Sequence, residues 1–435
     1  MTDMSDLKPQ NQWVSEERKA GLGKRHRTER RFKLLGLAAI FIALAMLATL
    51  FVSIASKGYS AFVQTRFELN VYFDETVIYP NGDRSAQALR GASYVSLIRN
   101  ALRAEFPDVE TRKELRSLFG IFSKGASRQL RNMVMEKPSV IGTTTATWLI
   151  ASDDMDMFNK GYIPRDVVEA DRRVKDNEIK WFDHLVEKGV VQKVFNWGFF
   201  SSGDSREPEI AGIWGAMVGS FYTLLITFVI AFPIGVMSAI YLEEFAPKNR
   251  ITDIIEVNIN NLAAVPSIVF GLLGMGLFLN VAHLPRSASM VGGLTLALMT
   301  LPIIIISARA SIRAVPDSIR HAALGLGASR QQTAFHHVLP QSMPGILTGT
   351  IIGLSQALGE TAPLLMIGMV AFIVDIPGNV TDPATVLPVQ IFLWADSPER
   401  AFVEKTSGAI LVLLVFLVFM NALAVLLRRK FERRK

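Results

Sequence analysis

The sequence contains no cysteine and comparatively few charged residues. The absence of cysteine from all 435 residues excludes disulfides, thiolate nucleophiles and cysteine-ligated zinc or iron–sulfur sites. Only 20% of the residues are charged, below the soluble average of about 25%, and 50% are hydrophobic. Because the apolar residues form uncharged runs of about 20 residues, the composition excludes a purely soluble enzyme and predicts a mainly α-helical integral membrane protein.

The positive charge of the chain lies beside its apolar runs. There are 46 Lys and Arg against 39 Asp and Glu, which gives a net charge of +7. A nucleic-acid-binding protein would gather its cations on a soluble face, whereas cations that flank apolar segments orient a membrane protein. The sequence therefore indicates a lipid bilayer, and no nucleic acid, as the partner of these cations.

A first transmembrane helix is predicted at residues 34–54, which carry no charge. The preceding tail, residues 1–33, is rich in Lys and Arg, so the positive-inside rule places the N-terminus in the cytoplasm. A cleaved signal peptide is the alternative, but its apolar core is usually only about 7–15 residues long and does not follow a long polar tail.

The segment after the first span, residues 57–208, reads as a soluble α+β domain inserted between the first and second transmembrane helices. Apolar and polar residues alternate from Phe67 to Phe73, which predicts a strand, and the charged stretch from Arg165 to Glu187 predicts a helix. A domain of this length is translocated largely regardless of its charge, so we expect it to be extracytoplasmic (periplasmic).

Three acidic residues in this domain lie close together: Asp153, Asp154 and Asp156. They could hold calcium, but the calcium-binding loop with its central Gly and terminal Glu is absent. The sequence therefore favours a solvated loop or a helix start, and no metal site is predicted.

Five further spans, each interrupted by Gly or Pro, bring the predicted total to six transmembrane helices. Six crossings return the C-terminus to the cytoplasm, in agreement with the basic tail at 428–435 and the basic loop at 309–343. The amphipathic segment from Asp253 to Asn261 is expected to lie along the inner surface before the third span. The five spans are predicted at residues 213–241, 258–282, 288–308, 345–373 and 407–427.

The loop between the fourth and fifth spans reads as helix, turn and helix. Pro316 and Asp317 suit the start of a helix, Gly325 and Gly327 allow the chain to turn back, and Pro340 is expected to close the unit. A helix at the inner mouth of a membrane bundle can dock onto a cytosolic partner. On physical grounds alone, a surface-lying connector without a partner is equally well supported.

The fifth predicted span carries glycine at every fourth position. Gly345, Gly349 and Gly353 therefore share one helix face, on which another helix can pack closely.

An acidic residue, Glu360, lies farther along the same predicted span. It is about 15 residues beyond Gly345, roughly 22 Å along a helix and so near mid-membrane. An acid at that depth costs on the order of 3 kcal/mol, so we expect it to mark a translocation path or, alternatively, to pair with an Arg or backbone donors. Gln356 and Thr361 extend its polar face. Arg309 is the nearest candidate cation in the chain, and snorkelling to the surface is its alternative role.

Two motifs resemble those of a known family. The loop resembles the signature of ABC-importer permeases: Glu-Ala-Ala, three residues, Gly, nine residues, Ile, one residue, Leu-Pro. The departures are His321 in place of Glu and His337 in place of Ile. The stretch Gly-Glu-Thr-Ala-Pro-Leu from Gly359 to Leu364 resembles the motif of PstA-type permeases of phosphate importers. The loop signature falls on His321, Ala322, Ala323, Gly327, His337, Leu339 and Pro340.

The resemblance covers residues 212–427 and implies a type I ABC importer permease domain in a bacterial inner membrane. It implies a complex with a PstC-like homologous permease, two PstB-like ATPases and a PstS-like extracytoplasmic phosphate-binding protein, in which the 317–337 segment couples to the ATPases. No Gly-x-x-x-x-Gly-Lys-Ser/Thr motif occurs, so the chain is expected to be non-catalytic, to need no cofactor and to leave ATP hydrolysis to a partner.

Phosphate is an anion, so the carboxylate of Glu360 has the wrong sign to be its main ligand. We expect Glu360 to orient an Arg of the PstC-like partner or, alternatively, to accept a hydrogen bond from the proton that hydrogen phosphate retains and sulfate lacks. Molybdate, sulfate and phosphonate are the rival substrates. A membrane sensor and a membrane-embedded enzyme are weaker alternatives, because the predicted cytoplasmic pieces are too short for an output domain and no His-Glu-x-x-His motif is present.

Overall fold

The computed structural model describes residues 16–80 and 82–432 and confirms a mainly helical protein with one small sheet. The chain divides into two compact units, Met1–Ser56 and Lys57–Lys435. Helix α1, Glu16–Gly58, accounts for the described part of the first unit. Large apolar side chains from Phe32 to Val52 are more than half exposed, and the helix is long and apolar enough to cross a bilayer.

Three antiparallel strands form a sheet in the order β2-β1-β3. The central strand β1 contains the alternation that predicts a strand from Phe67 to Phe73. Phe67, Leu69 and Val71 are all buried on one face of β1, against helices that cover this side of the sheet. The strands are β1 Val63–Tyr72, β2 Thr144–Ile150 and β3 Val191–Phe195.

Eight short helices surround this sheet within the part of the chain that the structure describes. The helix predicted from Arg165 to Glu187 begins only at Asp176, because Glu178 caps the backbone N–H of Lys175 and fixes the start there. The acidic cluster begins a helix at Asp153, where its charge favours the first turn. The eight are α2 Glu75–Ile78, α3 Ala86–Gly91, α4 Tyr94–Glu105, α5 Arg112–Gly120, α6 Gly125–Glu136, α7 Asp153–Asn159, α8 Asp176–Glu187 and α9 Trp197–Ser201.

A second, longer set of helices follows the sheet region. Their buried faces carry small and apolar residues, and α10, α13 and α16 pack side by side as the centre of this helical region. They are α10 Trp214–Ile240, α11 Arg250–Ala263, α12 Ser267–Gly274, α13 Ser289–Arg313, α14 Asp317–Gly325, α15 Arg330–Gln332, α16 Leu339–Gly359, α17 Ala362–Met366, α18 Leu387–Ala395 and α19 Ala401–Glu432.

By length and composition, the described residues do not reach the predicted six spans. Four helices could cross a membrane alone, and a bent pair of helices raises the number to five. Helix α16, where the fifth span was predicted, is not among them. The four candidate spans are Arg25–Phe62, Trp214–Phe245, Ser289–Arg313 and Ala401–Leu423.

The span predicted at 258–282 is wrong as a single helix. Arg250–Ala263 and Ser267–Val281 meet at an angle of 102°. The break falls at Val265 and Pro266, because proline has no backbone N–H and disfavours helical geometry in the residue before it. The amphipathic segment from Asp253 to Asn261 lies within α11, before this bend.

The span predicted at 345–373 also breaks. Helix α16 ends at Gly359, and Glu360 is extended, with φ −77° and ψ 123°. Pro363 follows in the first turn of the short helix α17 and could not donate a hydrogen bond to the Gly359 carbonyl of a continuous helix. Glu360 therefore lies at a helix break and not within an unbroken span.

Pro340 does not close the loop as the sequence predicted. A π-helical stretch, Thr333–Val338, leads directly into α16, and Pro340 lies in the first turn of α16. The wider i to i+5 pairing before Pro340 lets the helix run through a residue that lacks an N–H. The second half of the loop and α16 therefore form one uninterrupted helical stretch.

A buried ion-pair cluster connects the sheet region to the last helix. The Lys160 ammonium lies 2.6 Å from Asp156 Oδ2 and 2.8 Å from Glu404 Oε1, and all three side chains are less than 10% exposed. Asp156 also accepts a hydrogen bond from the Thr65 backbone on β1. Since a buried charge is costly without its partner, these contacts fix α7 and the sheet to the start of α19.

Candidate functional site

The 317–337 loop forms a compact helical hairpin. Gly327 makes the turn with φ +88°, a conformation that a residue with a side chain rarely adopts. The Ser329 hydroxyl accepts from the Gln332 N–H and so caps the returning helix. At the tip, Leu326 is 91% exposed. Leu324, on the same turn, is 43% exposed, so the hairpin presents apolar side chains at its tip.

The family-signature residues divide between the surface and the base of the hairpin. Ala323 is buried, and α14, which carries it, packs against the returning π-helical stretch. Leu339 is half-buried, at the point where the hairpin joins α16. The exposed members are His321, Ala322, Gly327, His337 and Pro340.

One carboxylate just after α10 and one on α11 hold the helix ends beneath the hairpin. Arg309 on α13 donates from Nε to Glu243 Oε1 at 2.8 Å and contacts Glu256 on α11 at 2.5 Å. Arg313, one turn later, contacts the same Glu243 oxygen at 2.9 Å. Because Arg309 and Glu243 have only 10% and 12% of their side chains exposed, this cluster is a shielded junction of α10, α11 and α13.

Arg320 ties the hairpin itself to that junction. Its guanidinium contacts Glu244 Oε1 at 2.9 Å and donates to the backbone carbonyls of Ile312 and Val315 at the end of α13. It also contacts Asp317 at 3.1 Å on its own helix. The planar guanidinium satisfies all these acceptors at once, so it ties α14 to the end of α13 and to the stretch that follows α10.

The sequence analysis did not identify Glu243, Glu244 and Glu256 as site residues. Two adjacent acids directly after an apolar run, together with several cations at the end of another run, were the available signal. Their partners are 53 to 76 residues away along the chain, a separation that periodicity cannot bridge.

The glycine face of α16 lies against α13. A Cβ at Gly345 would come within 2.3 Å of Ser311 Oγ, and one at Gly349 would come within 2.0 Å of Ser307 Oγ. At Gly353 the nearest atom would be 3.7 Å away, an ordinary contact. The two helices are therefore in closest contact at the end of α16 nearer the hairpin.

Glu360 lies at the break between α16 and α17. It is half-buried, and within the described chain its carboxylate makes no ion pair or hydrogen bond. Thr361 is likewise half-buried, and Gln356, one turn earlier, is exposed. Helix α12 packs closely on the break, since a Cβ at Gly271 would lie 2.6 Å from Pro363 Cα. This places an unpaired acid at an accessible break in a packed bundle.

The structure does not bring Arg309 to Glu360. Arg309 lies opposite the stretch of α16 between Gly345 and Gly349 and is occupied by Glu243 and Glu256. Glu360 lies about 11 residues beyond Gly349, roughly 16 Å farther along the helix. Arg309 therefore belongs to the junction beneath the hairpin and is not the cation of the Glu360 site.

Comparison with known proteins gives matches along most of the chain. A sequence model described as binding-protein-dependent transport system inner membrane component matches residues 231–435, and a domain of unknown function, DUF3333, matches residues 19–169. A probable ABC transporter permease protein, YqgI of Bacillus subtilis, is 32% identical over 253 residues, which cover 55% of this chain and 84% of that protein.

Similar proteins also include a phosphate permease and a solved transporter. The phosphate transport system permease protein PstA 1 of Mycobacterium tuberculosis is 30% identical and covers 55% of this chain and 78% of its own length. Among solved structures, an inward-facing MetNI methionine ABC transporter matches with 17% identity and a TM-score of 0.39, over 51% of this chain and 94% of that one.

Proposed function

The chain belongs to the family of binding-protein-dependent inner-membrane transport components, and from this premise we propose that it is the permease subunit of an ATP-driven phosphate importer. The substrate is supported by relatives about 30% identical that are phosphate transport system permeases. The observation that carries the proposal is the accessible helix break at Glu360, whose carboxylate has no partner in the described chain and whose flanking residues resemble the motif of those permeases.

We propose that the chain works with a homologous PstC-like permease, two PstB-like ATPases and a PstS-like binding protein. The termini are cytoplasmic, and the sheet region is extracytoplasmic. The hairpin at 317–337 seats in the ATPases, and the Arg320 contacts support this role because they convert hairpin displacement into movement of α10 and α13. ATP hydrolysis is assigned to the ATPase subunits.

Glu360 is proposed to face the translocation path. Since a lone carboxylate repels an anion, its role is to hold an Arg of the homologous permease in place, with Thr361 and Gln356 extending the same polar surface. Acceptance of a hydrogen bond from the hydroxyl of hydrogen phosphate is the alternative role. The two differ in their substrate discrimination, because only the second would distinguish phosphate from sulfate through Glu360.

Uptake of radiolabelled phosphate tests the proposal. The chain is expressed with its partner subunits in cells without another phosphate importer, and uptake is measured with and without excess sulfate, molybdate or phosphonate. Glu360→Gln is expected to lower uptake at least tenfold while complex assembly stays normal. The exposed Glu187→Gln serves as the matched control and should leave uptake unchanged.

Normal uptake by Glu360→Gln at normal assembly would contradict the role of Glu360. Competition by sulfate or molybdate as strong as that by unlabelled phosphate would reassign the substrate to another oxyanion. If Glu360→Gln takes up phosphate less selectively over sulfate than the wild type does, the hydrogen-bond-acceptor role is favoured over the Arg-positioning role.

A further inference from the structure

The sheet region contains an open groove that plays no part in the proposed transport path. Its volume is about 610 Å³, and it lies between α4, α5 and the segment that leads into α10. Four arginines line one side, and acidic groups with one lysine line the other. The arginines are Arg99, Arg103, Arg112 and Arg116.

The arginines occur as two pairs of like charges. Arg99 and Arg103 are one turn apart on α4, and their guanidinium carbons lie 5.3 and 5.8 Å from the centroid of the same ring, that of Phe119. Arg112 and Arg116 are one turn apart on α5. Like charges at this spacing repel each other. Within the described chain, no carboxylate lies within 4.0 Å of any of the four, so their charge is uncompensated.

The opposite wall carries a buried acid, one oxygen of which has no hydrogen-bond partner in the described chain. Glu209 is only 6% exposed, and its Oε1 accepts a hydrogen bond from the Ser123 hydroxyl at 2.5 Å. Its Oε2 has no hydrogen-bond partner in the part of the chain that the structure describes. Beside it, Lys124 pairs with Glu207 at 2.6 Å, and Asp153 completes this wall. A buried carboxyl oxygen without a partner is uncommon and points to a group that is not part of the chain.

We propose that this groove binds a protonated phosphate group. The guanidinium groups match the charged oxygens of phosphate, which they can hold with two parallel hydrogen bonds each. The carboxyl groups of the opposite wall match the hydroxyl that phosphate retains at neutral pH and that sulfate lacks. The volume admits a phosphate monoester as well as the inorganic ion, so both sources share the same recognition chemistry.

Burial raises the pKa of Glu209 to about 7, against the opposing hydrogen bond from Ser123. The nearby carboxylates of Asp153 and Glu207 raise it further. A carboxyl group that is partly protonated near neutral pH can either accept a hydrogen bond from a phosphate hydroxyl or donate one to a phosphate oxygen. The acidic wall therefore does not simply repel the anion.

Direct binding to the purified full-length chain tests the inference. Equilibrium dialysis with radiolabelled inorganic phosphate measures the affinity, and unlabelled glycerol 3-phosphate and sulfate serve as competitors. The variant Arg103→Gln with Arg116→Gln, which removes one member of each pair, is expected to bind at least tenfold more weakly. The matched control, Arg90→Gln with Arg128→Gln, removes two exposed arginines outside the groove and should bind normally.

Sulfate should compete at least tenfold less well than unlabelled phosphate. Stronger competition by glycerol 3-phosphate than by inorganic phosphate would identify a monoester as the ligand, and the reverse would identify the free ion. Binding that is unchanged in the groove variant, or weakened equally in the control, would overturn the inference, as would absence of binding at millimolar phosphate.

Two further variants separate loss of the groove site from misfolding and from binding at the helix break. The complementary pair Arg99→Gln with Arg112→Gln should weaken binding in the same way, so a folding defect in one double variant does not decide the outcome. Glu360→Gln is measured in parallel, because the groove is separate from the helix break. Binding lost in Glu360→Gln but retained in both groove variants would locate the phosphate at the transport path and refute the groove site.

Discussion

Replacement of Arg320 by glutamine is expected to uncouple the hairpin from the transport helices. Arg320 contacts Glu244 at 2.9 Å and two backbone carbonyls at the end of α13, and the two ionic side chains are 18% and 12% exposed. Removal of one member of a buried pair costs roughly 3–5 kcal/mol. Since both groups retain some exposure, we take the lower end, about 3 kcal/mol, as the loss in hairpin docking.

A loss of about 3 kcal/mol weakens the docked state of the hairpin roughly 150-fold relative to the undocked state. The whole complex is reconstituted into vesicles, and phosphate uptake and ATP hydrolysis are measured in the same sample. Arg320→Gln should lower the uptake per ATP hydrolysed at least tenfold while hydrolysis continues. The uptake per ATP hydrolysed by Arg320→Lys should lie between that of the wild type and that of Arg320→Gln. Lysine keeps the charge but cannot satisfy several acceptors in one plane.

Arg330→Gln is the matched control, because Arg330 is an exposed arginine of the same hairpin and its side chain has no ion pair in the described chain. Glu244→Gln alone and combined with Arg320→Gln completes a double-mutant cycle, in which the second change should add little to the first. An unchanged ratio of uptake to hydrolysis in an assembled Arg320→Gln complex would refute the reasoning, as would full additivity of the two substitutions.

Two further predictions concern stability. The pKa of Glu209 is about 7 in the folded chain and 4.5 without burial. Its contribution to the free energy of unfolding is therefore fully present below about pH 4.5 and falls by about 3 kcal/mol as the pH rises through 7. Thermal unfolding in phosphate-free buffer should therefore depend less on pH in Glu209→Gln, and an identical slope would contradict the burial argument. Gly349→Ala should cost about 1–3 kcal/mol through overpacking on Ser307, whereas Gly353→Ala has room and should unfold like the wild type; equal melting temperatures would contradict the close helix contact.

The features that local pattern could predict are those that depend on periodicity. The alternation from Phe67 to Phe73 predicted β1 because one face of a half-buried strand must be apolar. The uncharged run at 34–54 likewise predicted the apolar part of α1, and the four-residue spacing of glycines predicted a face on which α13 could approach α16.

Features that depend on partners far along the chain could not be predicted in this way. From its position in the sequence, Arg309 was a candidate cation for the translocation path. It pairs instead with Glu243 and Glu256, because a shielded guanidinium binds the carboxylates that are nearest in space. Glu360 was expected inside a continuous helix because its surroundings are apolar. Pro363 was visible in the sequence, but membrane helices tolerate proline, so its presence alone did not predict the break at Glu360.

The buried lysine between Asp156 and Glu404 has a consequence for how movement of the last helix could be controlled or followed. Because that ammonium fastens the sheet to the start of the last helix, any tilt of α19 carries the sheet with it, and any force applied to the sheet acts on α19. An antibody fragment or a fluorescent label on the sheet would then restrain or report the movement of a helix that it never touches.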